Sequence, residues 1–459
     1  GFRVAKVYFE SLPGFYVTGN LYRPAEGSGP FPAVVCPHGH WYYGRLTNGE
    51  SGSIPGRCID LARMGFVVMS IDMVGYNDSF QFPHDPGKSL RQLKADEPVP
   101  YEPNLYRGDF DFPRAGLYGV SLAGLHVWNV IRTVDFLVSL PEVDPERIGC
   151  TGASGGASQT LFLMATDERL KVAAPVNIVG AEKHPGCRCE NAPGSWVDIS
   201  TVEIAGTFAP RPLILISATE DPWTNSFPTR ELSIIKKYYA LYGAEDKVTN
   251  AHIPGGHNYN AQSRAAVYNW FAEHLKSPRP AIKNPPAIAP EMKTLGDLRV
   301  FPDKLLPETS KSGLDVLRDW MASSEKAYEV ALPKKGTELA AFTEKFGGAL
   351  FRLLQLDRPA PSDIIAMKLE DQALGGFSHE KLVIGRQGKG DRVDVEVIVA
   401  GSEPKGTLVL VRPESRGGMF MPGGGGFKPA LKNLAVSNYR ICRVGGYASG
   451  ELRIPRKTW

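Results

Sequence analysis

The sequence predicts an α/β fold, a mainly parallel sheet with helices on both faces, followed by a smaller C-terminal α/β region. Three observations carry this. Apolar runs at 33–36, 66–71 and 213–217 have the near-continuous character of strands buried on both faces. Amphipathic stretches of helical length alternate with them. The stretch 147–161 reads as a strand, a tight glycine-rich turn and a helix in immediate succession.

Taken in order, residues 4–22 form a strand pair, with Pro13-Gly14 at the turn and Val7, Phe9, Phe15, Val17 and Leu21 alternating. A Pro/Gly loop over 23–32 leads to a buried strand at 33–36, which runs into Pro37-His38-Gly39-His40-Trp41. Residues 53–64 read as a helix and 66–71 as a strand ending at Asp72. Residues 82–113 are rich in Pro, Asp and Arg with little periodicity, as functional loops or lids are. A long amphipathic helix over 118–140 passes through the turn cluster Asp144-Pro145-Glu146 into the strand 148–151. Then follow a helix over 157–164, strands at 172–179 and 213–217, a helix at 232–242, a strand at 248–253 and a closing helix at 263–275.

The Pro- and Lys-rich stretch 279–312 reads as a linker. Beyond it, 314–354 is mostly helical, 381–399 and 407–411 are strands, and the glycine-rich 417–427 is a surface loop. The expected domains are therefore 1–278, the linker 279–312, and a C-terminal region 313–459.

Composition bounds the function. At 42% hydrophobic and 22% charged residues, the chain has the make-up of a soluble globular protein. A net charge of +3, with no basic run interleaved with aromatics, argues against a nucleic-acid partner. No apolar run is long enough to span a bilayer, so no membrane partner is expected. The six cysteines are scattered except for Cys187-Arg188-Cys189, which is no dense disulfide framework. The chain starts at Gly1 with no signal-like stretch, reads as a processed form or a fragment, and carries no address of its own.

The chemistry centres on Gly152-Ala153-Ser154-Gly155-Gly156, which fits the G-x-S-x-G nucleophile elbow of the α/β-hydrolase fold. The similar Gly119-Val120-Ser121-Leu122-Ala123 lacks a preceding strand and reads as the start of an ordinary helix. A serine hydroxyl needs an adjacent base, and in this fold the order is Ser, acid, His, each after a strand. Ser154, Asp221 and His257 meet that order. Glu220, Glu182 and Glu190 stay open as alternatives for the acid.

The backbone N–H groups of Gly155 and of His40, in the loop after the strand 33–36, are the expected oxyanion donors. His38 is divided between packing and a part in that loop. Cys187, Cys189, His184 and Glu190 raise a metal site, but the spacing departs from C-x₂₋₄-C and favours a structural loop. No metal or cofactor is expected.

Several stretches together carry a family resemblance: 36–40, 72–78, 124–129, 152–156, 187–193 and His257-Asn258-Tyr259-Asn260. Over 4–275 the chain resembles the acetyl xylan esterase-like α/β-hydrolases of polysaccharide-degrading bacteria. The resemblance implies a serine carbohydrate esterase that removes acyl groups, acetyl foremost, from xylan-type polysaccharides or oligosaccharides, with Ser154 as nucleophile and His257 as base. Relatives read Gly-Asp-Trp-Thr where this chain has Glu220-Asp221-Pro222-Trp223-Thr224, with a proline inserted after Asp221. Glucuronoyl esterases typically carry arginine at the position of Gly155, which weakens a uronate ester as substrate.

The alternatives are a serine peptidase or other small-ester hydrolase of the same fold, and a non-catalytic carbohydrate-binding relative. A polymeric substrate implies export from the cytoplasm. The region after about 362 resembles the opening of a second hydrolase-like domain, 407–411 paralleling 33–36 and 435–444 paralleling 66–71, and reads as a truncated accessory domain.

Overall fold

In the computed structural model, described for residues 1–41, 43–82, 115–181, 187–191, 199–291, 296–303, 305–354, 358–401, 403–411 and 428–444, the apolar runs become one eight-stranded sheet. It begins with the antiparallel pair β1 (Phe2–Leu12) and β2 (Phe15–Pro24). The order of elements then runs β3 (Phe31–Val35), α1 (Ile54–Met64), β4 (Val67–Ile71), α2 (Leu122–Val138), β5 (Val143–Ala153), α3 (Gly155–Thr166) and β6 (Leu170–Val176). It closes with α4 (Thr201–Gly206), β7 (Leu213–Ala218), α5 (Glu231–Ala240), β8 (Val248–Ile253) and α6 (Ala261–His274).

The strands lie in the order β1-β2-β4-β3-β5-β6-β7-β8. From β4 to β8 every neighbouring pair is parallel, and β2 meets β4 antiparallel. This is the α/β-hydrolase arrangement. Each parallel connection crosses over through a helix, so both faces are covered and every residue of β4 and β7 is buried. On one face α1 and α6 bring Cys58, Ile59, Val267 and Phe271 against Val34, Val68 and Ala174. On the other, Val130 and Val134 of α2, Leu161 of α3 and Ile235 of α5 belong to one core with Ala33, Val35 and Met69. Truncating one such fully buried side chain to alanine costs about 2–5 kcal/mol.

Of two local details, one differs from the sequence reading and one matches it. The cluster Asp144-Pro145-Glu146 lies inside β5, where pairing with β3 jumps from Phe31↔Val143 to Ala33↔Ile148. Asp144 Oδ1 accepts the Glu146 N–H at 2.9 Å, so the turn chemistry is spent on a bulge and the strand continues through it. The near-miss serine, Ser121, is the N-cap of α2 and accepts the Gly124 N–H at 3.0 Å, as expected of an ordinary helix start.

The chain divides into two units, Gly1–Leu353 and Leu354–Trp459. The stretch expected as a linker packs within the first. Asp78 accepts the Val300 N–H at 2.9 Å and the Phe301 N–H at 3.1 Å, and Asn20 donates to Leu298 O at 2.9 Å. Asp78 is itself held by Arg45, which also pairs with Asp72 at 2.9 Å; all three side chains are fully buried. Helices α7 (Gly313–Ala331) and α8 (Leu339–Leu353) complete this unit, Val316 and Leu317 of α7 packing with Phe15, Phe82 and Leu122.

The second unit holds a five-stranded sheet: β9 (Ile364–Leu374), β10 (Phe377–Arg386), β11 (Arg392–Val399), β12 (Gly406–Val411) and β13 (Tyr439–Val444), with α9 (Pro429–Val436) between the last two. Its order is β9-β10-β11-β13-β12, where β13 is antiparallel to β11 and parallel to β12. The run β10-β11-β13-β12 repeats the connectivity of β1-β2-β4-β3, with α9 in the place of α1. The strand paralleling β4 starts at Tyr439, and Ala435 is the last but one residue of the helix before it. The stretches 83–113 and 417–427, with Glu182 and His184, lie outside the described residues.

Candidate active site

The C-terminal ends of β5, β7 and β8 carry the three residues expected to act together. Ser154 follows β5 directly and caps α3 with φ +55° and ψ −122°, a left-side conformation that non-glycine residues adopt only under constraint. The constraint is visible in its glycines. A Cβ on Gly152 would lie 2.5 Å from the Gly156 carbonyl and 2.7 Å from Pro37 O, and one on Gly156 would lie 2.5 Å from Pro37 O. The loop after β3 therefore presses directly on the elbow, and only glycine allows the approach.

Asp221 and His257 come together. Asp221 Oδ2 lies 3.2 Å from His257 Nδ1, accepts the Thr224 hydroxyl at 2.8 Å, and Oδ1 accepts the Trp223 N–H at 3.1 Å. Since the carboxylate accepts, Nδ1 carries the proton and Nε2 is left as the basic nitrogen. Burial pushes the Asp221 carboxyl up, but the hydrogen bonds from His257, Thr224 and Trp223 outweigh it and hold the group below the ordinary carboxylate range. The Asp221 side chain is fully buried, whereas that of His257 is 37% exposed and open to a substrate.

Backbone contacts hold the two loops in register. Thr219 N–H donates to Ile253 O, Glu220 N–H to Gly255 O, and Gly255 N–H to the Thr219 hydroxyl, at 3.0, 2.9 and 3.0 Å. The histidine loop is tied to the elbow as well. Tyr259 hydrogen-bonds Thr151 of β5 at 2.7 Å, and Asn177, after β6, donates to Asn258 O at 2.8 Å. Ser154 N–H donates to Val176 O, one residue before Asn177. Among the described residues no hydrogen bond joins the Ser154 hydroxyl to His257.

Two of the substitutes for the acid, Glu220 and Glu190, fall elsewhere. Glu220 is exposed, and Glu182 is outside the described residues. Glu190 is buried, accepts the Ser158 hydroxyl at 2.7 Å, and feels the charge of His257 without bonding it; burial raises its pKa.

His38 and His40 part company. His38 is fully buried, its Nε2 accepting the Met73 N–H at 2.9 Å and its Nδ1 bonding Gly39 O at 2.8 Å. Burial takes its pKa down to about 3, so it is a neutral brace between the loop after β3 and the end of β4. The His40 ring lies over Gly155, where a Cβ would meet its Cε1 at 2.7 Å. It also meets the 187–190 turn, His40 Nε2 standing 3.0 Å from Cys189 Sγ, which is 2.8 Å from Cys187 Sγ. The hydrogen bond from Cys189, more than its contact with His40, draws the Cys187 thiol down to about 5. Both cysteines are free.

Sequence reasoning missed Thr224, Asn177, Tyr259 and the His40 side chain. Thr224 had a local signal in the Asp-x-Trp-Thr run, and Tyr259 lay in the stretch His257-Asn258-Tyr259-Asn260, though neither was given a role. The others act through residues far away in the chain.

Comparison with known proteins bears on the fold and the family. Residues 1–178 match the acetyl xylan esterase (AXE1) family model. The chain is similar to "Putative hydrolase YtaP" of Bacillus subtilis (strain 168), 25% identical over 287 residues, which cover 58% of this chain and 84% of that protein. Among solved structures it is similar to Methylesterase BT1017, with 28% identity, a TM-score of 0.56, and coverage of 72% of this chain and 68% of the other.

Proposed function

We propose that this carboxylic ester hydrolase of α/β-hydrolase fold, which acts on carbohydrate esters, works through Ser154, His257 and Asp221 and removes acetyl groups from xylan-type polysaccharides or oligosaccharides. The observation that carries the reading is the Asp221–His257 contact of 3.2 Å beside a serine held at φ +55° on the elbow. His257 Nε2 takes the Ser154 proton as Oγ attacks the ester carbonyl. The Gly155 and His40 N–H groups receive the oxyanion. The tetrahedral intermediate expels the sugar hydroxyl, which receives that proton from His257 and leaves an acyl-enzyme. Water, deprotonated by the same nitrogen, then releases the acid and restores Ser154. Asp221 fixes the tautomer and stabilises the imidazolium throughout. The serine–histidine hydrogen bond forms as substrate orders the site.

A second reading, hydrolysis of methyl esters of acidic sugars, is favoured by the likeness to Methylesterase BT1017. It reverses which side of the ester stays on the enzyme: methanol leaves first and the sugar acid is the acyl group. Product analysis separates the two. On acetylated xylo-oligosaccharides the acetyl reading predicts acetate release that disappears in Ser154→Ala. Methanol release from methyl-esterified oligouronides, with acetylated xylan untouched, would replace it by the second reading. Turnover of both ester types at wild-type rate by Ser154→Ala would overturn the nucleophile assignment.

A further inference from the structure

Beside the elbow, four potential metal donors from two distant stretches converge: His40 from the loop after β3, and Cys187, Cys189 and Glu190 from the turn between β6 and α4. One ligand atom from each, a ring nitrogen, two sulfurs and a carboxylate oxygen, lies within 4.8 Å of all the others. Zn–S bonds of about 2.3 Å and Zn–N or Zn–O bonds of about 2.0–2.2 Å set the edges of a zinc tetrahedron at roughly 3.3–3.8 Å. The cluster is within an ångström or so of that figure: the sulfur pair, at 2.8 Å, has to open and the wider pairs to close.

Two further features belong to a metal site. Glu190 is only 5% exposed and Cys189 2%, and buried ionisable groups are normally paired or bound to a metal. The Ser158 hydroxyl, on α3 one turn after the nucleophile, donates to Glu190 at 2.7 Å, as outer-shell groups orient a ligating carboxylate.

We infer that His40, Cys187, Cys189 and Glu190 bind a divalent zinc ion in a closed, four-coordinate site. Two thiolates with an imidazole select zinc over magnesium or calcium, which prefer all-oxygen shells. Binding through thiolates releases the thiol protons to solvent, and the imidazole binds as its neutral form. With four protein ligands no position is left for a catalytic water, so the metal is structural. It ties the His40 loop, the 187–191 turn and, through Ser158, the elbow helix into one body. Metal binding does not depend on the catalytic reading of Ser154.

The test is metal content of the whole, reduced protein after incubation with equimolar Zn²⁺ and exhaustive dialysis. The expected result is about one zinc per chain, with Cys187 and Cys189 protected from alkylation, and loss of that zinc in Cys187→Ser/Cys189→Ser. Should the double variant misfold, Co²⁺ added to the wild-type protein gives an independent reading: thiolate-to-metal charge transfer and tetrahedral visible bands are expected, and they vanish on adding Zn²⁺. Retention of less than a tenth of an equivalent of zinc by the wild type, equal retention by the folded double variant, or absence of the cobalt bands would each overturn the site. A Cys187–Cys189 disulfide with no zinc bound after reduction would do the same.

Discussion

Replacing Gly155 by alanine is a sharp test of how the site is assembled, because two effects of known size oppose each other. Gly155 is the first residue of α3 and its φ is not positive, so alanine's helical preference favours the variant by about 0.5–1 kcal/mol. Against this, the new Cβ would stand 2.7 Å from His40 Cε1, 3.0 Å from Nδ1 and 3.2 Å from Nε2. That ring is no free end, since its Nε2 is 3.0 Å from Cys189 Sγ. Overpacking of this kind costs about 1–3 kcal/mol, so the clash wins or breaks even. The fold loses up to about 2.5 kcal/mol by these figures.

The effect on rate should be larger, because the ring moves with the backbone that carries the proposed oxyanion N–H. Loss of one such donor costs about 10²–10³ in kcat. We expect kcat on acetyl esters to fall by about 10- to 10³-fold with KM little changed, and the thermal midpoint to drop by a few degrees. In a His40→Ala background the same change should cost no stability, since the obstacle is gone. Kinetics and calorimetry on the four proteins decide the matter. A Gly155→Ala variant more stable than the wild type and unchanged in kcat would refute the packing of His40 on the elbow.

Three other expectations follow from the same contacts. Asp221→Asn should lower kcat by about 10⁴-fold by leaving His257 in the wrong tautomer, read by steady-state kinetics. Because the Asp221 carboxyl is held low, its contribution to stability is present above the unfolded pKa of about 4 and is lost as pH falls through the lower folded value. The acid limb of the unfolding-midpoint profile should therefore flatten in Asp221→Asn. Asp78→Ala strips Arg45 of one buried partner and frees the backbone of Val300 and Phe301; urea unfolding should show a loss of about 3–5 kcal/mol with little change in the KM of the surviving folded enzyme.

Much of this was legible in the sequence. The buried strands and the elbow are local patterns, and the proposed serine, acid and histidine could be picked out because Ser154 follows β5 directly while Asp221 and His257 lie three and four residues after β7 and β8. The resemblance seen over 4–275 meets a family match over 1–178. What was illegible depends on distance along the chain. The stretch 279–312 has the composition of a linker, yet Asp78 and Asn20 bind its backbone, and backbone acceptors and donors leave no trace in composition. The contact between His40 and Cys189 could not be read because the two stand 149 residues apart in the chain. Strand β9 escaped notice because all its residues are exposed, so no buried face imposes alternation on the run Ile364–Leu374. Asp144-Pro145-Glu146 carries true turn signals that a bulge absorbed.

The most direct test of the central claim is intact-protein mass spectrometry after exposure to a fluorophosphonate, with peptide mapping, on the wild type and on His257→Ala. The account predicts a single adduct on Ser154 in the wild type and labelling slowed by several orders of magnitude in the variant, since only a base-activated serine reacts at a useful rate. An unlabelled Ser154, an adduct on another residue, or equal labelling of both proteins would contradict it.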